Sequence, residues 1–519
     1  MIKNIIKRNE YRDSVFLMSI SEKIQEIEGV RNIVIVMATD NNKAFLRDVG
    51  LLTLEAQQAR PNDIIVAIEA EDMKVIEAAL DDISNLMSQK LRRETRDITY
   101  PSFDTALNAL PGANLALISV PGEFAAIEAK KAIMNGLHVF IFSDNVPLSE
   151  EVELKKLAQQ NEVLVMGPSC GASVINNVSI GLMSKVRTGQ IGIVGGSGSG
   201  IQEIAVLVDR QGFGISHAIG TGSRDLSEEV GAITTIQGIE VLEWDDNTEV
   251  IVLVSKPPPV NTMNKVLKVV AMCKKKVVIN FLGCDQKVIE KAGAIPASTL
   301  EEAALIAVSL VNKENSYRNI VEATKRKLIE LADIEKEHFA PRQRYLRGLF
   351  CGGMHCEEAI LILKDYVEEV YSNVYPSFCT QQSDGVLTMK NYLTDLGAEE
   401  FTRGRPHPVI APEILKLKLA EEGSDAAVAV ILLDIILGYG AHHDPAGVLS
   451  ETIRFLKEKA EKEGRYLNII ASICGTDKDP QNIFVQEKKL KEVGVTILPS
   501  NAQAALLGGL LISQIGERK

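Results

Sequence analysis

Two glycine turns hold the groups best suited to grip an anion. The run Gln190 to Ile204 sets a short apolar strand, Ile191 to Val194, against Gly195, Gly196, Ser197, Gly198, Ser199 and Gly200, with a helix opening at Ile201. Glycines let the backbone bend sharply and approach a ligand closely. A helix start adds free N–H groups and a partial positive charge, so the predicted chemistry is a phosphate or carboxylate cradle. No lysine follows the last glycine, as a P-loop requires, and Ile201 stands where a dinucleotide turn has its third glycine. A plain strand-to-helix turn of an α/β sheet would use the same glycines. The pattern recurs at Leu346 to Ile360, where an apolar strand meets Gly352 and Gly353 and a helix with early acids follows. The two turns are expected to face each other across one cleft. A valine at Gly198 is expected to block the anion and to close off positive φ.

Three further clusters could act on a ligand. His442, His443 and Asp444 follow a buried apolar strand inside a glycine-rich turn. A histidine there could carry phosphate or act as acid or base, and Asp444 could orient the His442 ring. Arg403, Arg405 and His407 form a second polar group, and arginine grips carboxylate or phosphate in a bidentate fork. His355 stands at a predicted helix start, where the dipole disfavours a cation, so only a neutral imidazole could donate to an anion there. Cys170, Cys351 and Cys356 flank turns, and buried packing competes with a nucleophilic role for each. Exposed loop residues would account for the histidines and arginines equally simply.

The elements that must position these groups alternate regularly. Strands Leu115 to Val120, His138 to Phe142 and Val163 to Met166 are separated by helices, which predicts a parallel, doubly wound sheet. Ligands bind beyond the carboxyl ends of such strands, here Ser119-Val120-Pro121, Ser143-Asp144 and Gly167 to Gly171. Nearer the N-terminus, Val15 to Met18, Ile33 to Met37 and Ile64 to Ile68 read as strands, with helices at Ser21 to Ile27 and Met73 to Met87. That order predicts a small α/β domain, in the ferredoxin-like style, serving as scaffold or docking module. Arg92 to Thr99 reads as a charged linker. Asn312 to Pro341 reads as a charged helix with one face of Ile320, Leu328, Ile329, Leu331 and Ile334. Both lobes end in a strand and a capped helix, with Ser298 and Glu301 as a capping box. The second lobe is longer, which places an insertion at about 371–411.

Composition narrows the class. The chain has 519 residues, 46% of them hydrophobic, and a net charge of −13, which argues against non-specific nucleic-acid binding. Seven scattered cysteines without C-x-x-C pairing predict a reducing compartment and no metal site. The opening Met1-Ile2-Lys3-Asn4 has no secretory apolar region, and the run Ala426 to Gly438 is too short to span a bilayer. A cytoplasmic protein is expected.

The strand-end motifs carry a resemblance. Val120-Pro121, Ser143-Asp144-Asn145-Val146-Pro147 and Gly167-Pro168-Ser169-Cys170-Gly171 are similar to the three ligand turns of the CoA-binding domain in succinyl-CoA synthetase alpha subunits. The resemblance implies CoA contacts at Val120, Pro121, Ser143, Asp144 and Ser169, where the family has asparagine at the last. The family's glycine-rich first turn has no match before Ser102. The turn Gly195 to Gly200 resembles the one that opens the helix facing the active-site phosphate. The family's phosphorylated histidine loop corresponds to Leu282-Gly283-Cys284-Asp285-Gln286, which has no histidine. With Gly352-Gly353, Gly404-Arg405-Pro406-His407-Pro408 and Leu437 to Ala446, the whole order of parts resembles the FdrA family, acyl-CoA synthetase-like proteins built as fused alpha and beta ligase lobes.

That resemblance implies a small N-terminal domain (1–95), a Rossmann-like CoA-binding domain (96–187) and a flavodoxin-like ligase domain (188–312). A helical linker (313–341) and a second such ligase domain (342–519) complete it. Three functions stand open: an acid–thiol ligase acting on an acyl phosphate or CoA thioester, a subunit of an oxamate carbamoyltransferase using carbamoyl phosphate, and a non-catalytic scaffold. The first implies CoA; all imply separate protein subunits or a homo-oligomer, and neither nucleic acid nor membrane as partner.

Overall fold

The computed structural model describes residues 1–10, 12, 14–25, 27, 29–88, 100–314, 317–374, 380–381, 390–402 and 406–516. The predicted linker 92–99 lies outside them. The chain divides into two compact units, one of residues 1–101 with 399–406, the other of 102–398 with 407–519.

In the first unit the strand Ile64–Ala70 is central, paired antiparallel with Ile2–Lys7 and Val30–Met37. Side chains alternate across a strand. Ile64, Val66 and Ile68 enter one apolar cluster, while Ile65 and Ala67 enter a second. Both faces are therefore covered, which is why this strand is apolar throughout. Val15 to Met18, expected as a strand, lies in the helix Ser14–Gln25. The apolar run continues at helical spacing, and Leu17, Ile20 and Ile24 are all buried against the helix Met73–Ser88.

The second unit is mixed α/β with parallel sheets. Strands Leu115–Ile118, His138–Ile141 and Val165–Met166 form a three-stranded parallel sheet. Two larger sheets follow. In the first lobe, strands Thr188–Gly195, Ile215–Gly220, Val250–Ser255, Lys276–Phe281 and Ile295–Pro296 take the spatial order 2-1-3-4-5, the flavodoxin-like arrangement. In the second lobe, Tyr345–Phe350, Asn391–Asp395, Val428–Ile436, Asn468–Cys474 and Thr496–Leu498 repeat that order, all parallel. Asn391–Asp395 was expected inside an insertion but is this lobe's second strand; the additions are the edge strands Val370–Ser372 and Thr380–Gln381.

Two connections fix the lobes. Lys155, wholly buried, bonds Asp225 Oδ1 at 2.7 Å and pairs with Glu151 at 3.1 Å, tying the three-stranded sheet's last helix to the first lobe. Between the lobes, two glutamates exchange places. Glu203, five residues into the helix Gly198–Arg210, accepts from Asn501 N at 3.1 Å at the start of the other lobe's last helix. Glu358, five residues into the helix Gly353–Leu363, accepts from Leu300 N at 2.6 Å at the start of the first lobe's last helix. Each carboxylate thus satisfies an orphan helix-start donor of its neighbour.

Two local expectations shift. The first lobe's last helix is capped by Thr299, accepting from Glu302 N, with Glu302 Oε2 accepting from Ser298 N. The capping pair is one residue later than Ser298 and Glu301. The helix Tyr317–Glu335 buries Leu328 and Ala332, while Ile320, Ile329 and Ile334 remain exposed. The packed stripe is narrower than the apolar pattern because the helix touches its neighbours along one edge. No helix of the described residues is long and apolar enough to cross a membrane.

Candidate functional site

The two glycine-turn helices meet start to start. Met354 N donates to Ser199 Oγ at 3.2 Å, and a Cβ on Gly352 would lie 2.8 Å from Ser199 Cβ. Gly200 is pressed as closely, a Cβ there falling 3.2 Å from Met354 Cγ. None of the glycines of either turn takes positive φ. They are needed for close approach, not for a left-handed backbone. For Gly198 only the positive-φ part of the expectation is corrected: a Cβ there meets ordinary contacts, the nearest 3.5 Å away, so the fold has room for a side chain. Gly195 is the intolerant position, with Val254 Cγ1 at 2.6 Å and Ile201 Cγ1 at 2.7 Å from an added Cβ.

Ser197 caps its helix, accepting from Gly200 N at 3.4 Å, and lies 3.4 Å from Ser199 Oγ. Gly196 through Ser199 are partly exposed, so this turn opens on solvent. The second turn is different. Asp434, wholly buried in the strand Val428–Ile436, accepts from Cys351 N at 2.6 Å and Gly352 N at 2.8 Å. The protein's own carboxylate takes the amides that Gly352 was expected to offer an anion.

Around the open turn lie the carboxyl ends of several strands. Ser255, ending Val250–Ser255, stands 3.2 Å from a Cβ on Gly196. Lys256 follows it and pairs with Glu357. Asp395 Oδ2 lies 2.8 Å from a Cβ on Gly353, and Asp395 Oδ1 accepts from Gly397 N at 2.8 Å. Burial pushes the Asp395 carboxyl up to about 7, with Lys256 opposing. His407 Nε2 would be 2.8 Å from a Cβ on Gly397, and its Nδ1 accepts from Val409 N. Burial lowers the His407 pKa, offset in part by the charges of Asp144 and Asp434, so its ring is neutral. Gly171 lies 3.5 Å from a Cβ on Gly198. The structure therefore brings together Gly196 to Ser199, Gly353 and His407. Sequence reading missed Lys256 and Asp395, although both stand at strand ends, the signal that would have found them.

Other predicted residues are placed differently. Arg403 and Arg405 lie outside the described residues. Ser143 is buried and directs its hydroxyl at Ile118 O, 3.5 Å away, so it serves the sheet. Ser169 takes φ 56°, a left-handed conformation uncommon for serine. Val120, Pro121 and Asp144 are exposed at their strand ends. Cys170, Cys351 and Cys356 are buried, and burial pushes the Cys170 thiol up to about 11, so it is not a ready nucleophile.

Asp444 does not orient His442 with its carboxylate. It is the N-cap of Pro445–Lys462, accepting from Gly447 N at 3.1 Å and pairing with Lys489. Its backbone N–H instead donates to His442 Nδ1 at 3.1 Å. That bond puts the ring proton on Nε2. Burial, with His443 adding to it, lowers the His442 pKa to about 4. His355 is turned inward, wholly buried, with Nδ1 2.9 Å from Asp434 Oδ2. Burial lowers its pKa, but Asp434, Glu203 and Glu358 outweigh this and raise it to about 9, against the expected neutral donor.

Comparison with known proteins agrees with this architecture. Residues 349–511 match the CoA-ligase family, and residues 1–100 match the AllF heavy metal-associated domain. Residues 1–100 contain neither cysteine nor histidine, so that domain offers no thiolate or imidazole to a metal. The succinate–CoA ligase [ADP-forming] subunit alpha of Aquifex aeolicus is 29% identical over 164 residues, 30% of this chain and 52% of that one. The chain thus matches about half the length of that relative. Among solved structures, PH0766 from Pyrococcus horikoshii OT3 aligns over 77% of this chain and 84% of that one at 14% identity, with a TM-score of 0.33. An ATP citrate lyase from Methanothrix soehngenii aligns over 41% of each chain at 14% identity, with a TM-score of 0.37. The protein YahF of Escherichia coli strain K12, itself uncharacterized, is 40% identical over 508 residues, 98% of both chains. The chain carries a CoA-ligase domain and belongs to the family of YahF.

Proposed function

We propose that the chain is an acyl-CoA synthetase-like protein that transfers an acyl group between an acyl phosphate and the thiol of CoA. The observation that carries this reading is the abutment of two helix starts, Met354 N on Ser199 Oγ at 3.2 Å, beside a solvent-open glycine turn. Helix starts stabilise phosphoryl oxygens without rearranging during reaction. The phosphate end of the substrate would rest on Gly196 to Ser199, with Lys256 adding positive charge at the rim. Neutral His407 would meet the carbonyl end. CoA would enter over Val120, Pro121, Asp144 and Ser169. The thiolate attacks the acyl carbon, the C–S bond forms, and the C–O bond to phosphate breaks as phosphate leaves.

This chemistry does not need a phosphohistidine in this chain. The loop at 282–286 has no histidine. His442 carries its proton on Nε2 and uses the Nδ1 lone pair on Asp444 N, so neither nitrogen is a free nucleophile. That same observation favours a second reading, in which carbamoyl phosphate, itself an acyl phosphate, is the donor and an amide of a small acid the acceptor.

The test is to incubate the chain with CoA and a panel of acyl phosphates and follow loss of free thiol, with carbamoyl phosphate and oxamate as a separate arm. Thermal shift with each ligand reports binding alone. Thioester formation supports the first reading, and carbamoyl transfer without CoA the second. A chain stabilised by none of these ligands and forming neither product would refute both.

A further inference from the structure

Behind the paired helix starts lies a second constellation, fully buried. Glu203, His355 and Cys474 come from the first lobe's glycine-turn helix, the second lobe's glycine-turn helix and the strand Asn468–Cys474. One oxygen of Glu203, one ring nitrogen of His355 and the sulfur of Cys474 all lie within 4.8 Å of one another. The exposures of the three residues are 3%, 0% and 1%. His355 Nε2 is buried and has no hydrogen-bond partner among the described residues, although Glu203 Oε2 is 3.8 Å away. A buried ring nitrogen left without a partner is destabilising.

Three candidate ligand types are present, and their neighbours orient them. His355 Nδ1 lies 2.9 Å from the Asp434 carboxylate, which in a metal-bound, neutral ring would hold the proton on Nδ1 and leave Nε2 to the ion. Glu203 is shared: Oε1 accepts from Asn501 N at 3.1 Å, the Cys474 thiol hydrogen-bonds the carboxylate, and Oε2 lies 3.8 Å from His355 Nε2. Imidazole, thiolate and carboxylate together form a zinc ligand set, with bonds of about 2.0–2.3 Å, so ligand atoms sit roughly 3.3–3.8 Å apart in a tetrahedron. Closing to that geometry needs a contraction of up to about 1.5 Å from the present separations.

We propose that Glu203, His355 and Cys474 bind one zinc-class divalent ion that staples the two ligase lobes behind the glycine-turn helices. The ion would deprotonate the thiol, take up the Nε2 lone pair and neutralise a pocket in which Glu203, Glu358 and Asp434 surround one imidazole. The assignment is independent of the acyl-transfer reading, because it concerns folding of the lobe junction.

The experiment uses the full chain, expressed with added zinc, and measures bound metal by mass spectrometry. About one zinc per chain is expected. The chain is then stripped with a chelator under denaturant and refolded with cobalt(II). A near-ultraviolet thiolate-to-cobalt band should appear, vanish in Cys474→Ser and persist in Cys356→Ser. Chelation should lower the melting temperature of the wild type and zinc should restore it. The proposal is overturned if wild-type chain, purified with zinc or refolded with cobalt, holds no stoichiometric ion, or if the band survives Cys474→Ser. Should Cys474→Ser fail to fold, the wild-type cobalt spectrum and metal content decide alone. An imidazolium paired with the two carboxylates, without metal, is then what the cluster contains.

Discussion

The contact between the helix starts can be tested by adding one methyl group. In Gly352→Ala the new Cβ would lie 2.8 Å from Ser199 Cβ, 2.9 Å from His355 Nδ1 and 3.1 Å from Asp434 Oδ2. The backbone itself is no obstacle, since Gly352 sits at φ −100° and ψ 115°, which alanine adopts freely. The effect is therefore steric. Carbon atoms rest at about 3.5–4.0 Å, so the helix starts must part by roughly 0.7 Å or more. None of the three neighbours yields easily. Ser199 Cβ is carried on helix backbone, and Asp434 is held by Cys351 N, Gly352 N and His355. Overpacking of this kind costs about 1–3 kcal/mol, and loss of the His355–Asp434 bond would add about 1.5–3 kcal/mol. We expect a loss of about 3–5 kcal/mol, read as a lower urea midpoint at unchanged slope. Ser199→Gly removes the clashing carbon, so Gly352→Ala with Ser199→Gly should recover about 1 kcal/mol or more beyond additivity. If Gly352→Ala changes stability by less than about 0.5 kcal/mol, or the pair adds simply, the helix starts do not abut as described and the shared site loses its foundation.

Two other outcomes follow from the loop after Val428–Ile436. The His442 pKa falls from 6.5 to about 4 on folding, because burial disfavours the cation. A depressed pKa contributes stability that is full above 6.5 and is lost as pH falls towards 4, up to about 3 kcal/mol. Urea unfolding between pH 7 and pH 4 should show His442→Gln losing less stability than wild type, and parallel curves would contradict the burial argument. Asp444→Ala should cost about 1–2 kcal/mol through loss of the Gly447 cap, while Asp444→Asn, which can still cap, should keep most of it. Equal losses in both variants would show that the charge pair with Lys489, and not the cap, is what matters.

Much of this architecture was legible in the chain because it is local. A glycine turn between an apolar strand and a helix is a property of a dozen consecutive residues, and its recurrence at Gln190 and Leu346 announced two lobes. The matching ends around Leu300 and Asn501 announced the two final helices. Where local reading failed, a competing local signal had been missed. Val15 to Met18 looked like a strand until the helical spacing of Leu17, Ile20 and Ile24 is counted. Asp444 was taken for a partner of His442, although Asp before Pro at a helix start is a capping signal in its own right.

What only the tertiary structure decided is which distant groups share a space. The exchange of Glu203 and Glu358 between lobes, the occupation of the second turn's amides by Asp434, and the gathering of Glu203, His355 and Cys474 have no trace in any short window. Their partners are separated by tens to hundreds of positions. Periodicity tells a residue whether it faces inward, and it did so for the strand holding Asp434. It does not say what a buried charge will meet there. That depends on how two sheets are docked, and the desolvation of a carboxylate or imidazole is compensated only by the particular groups that docking brings within reach.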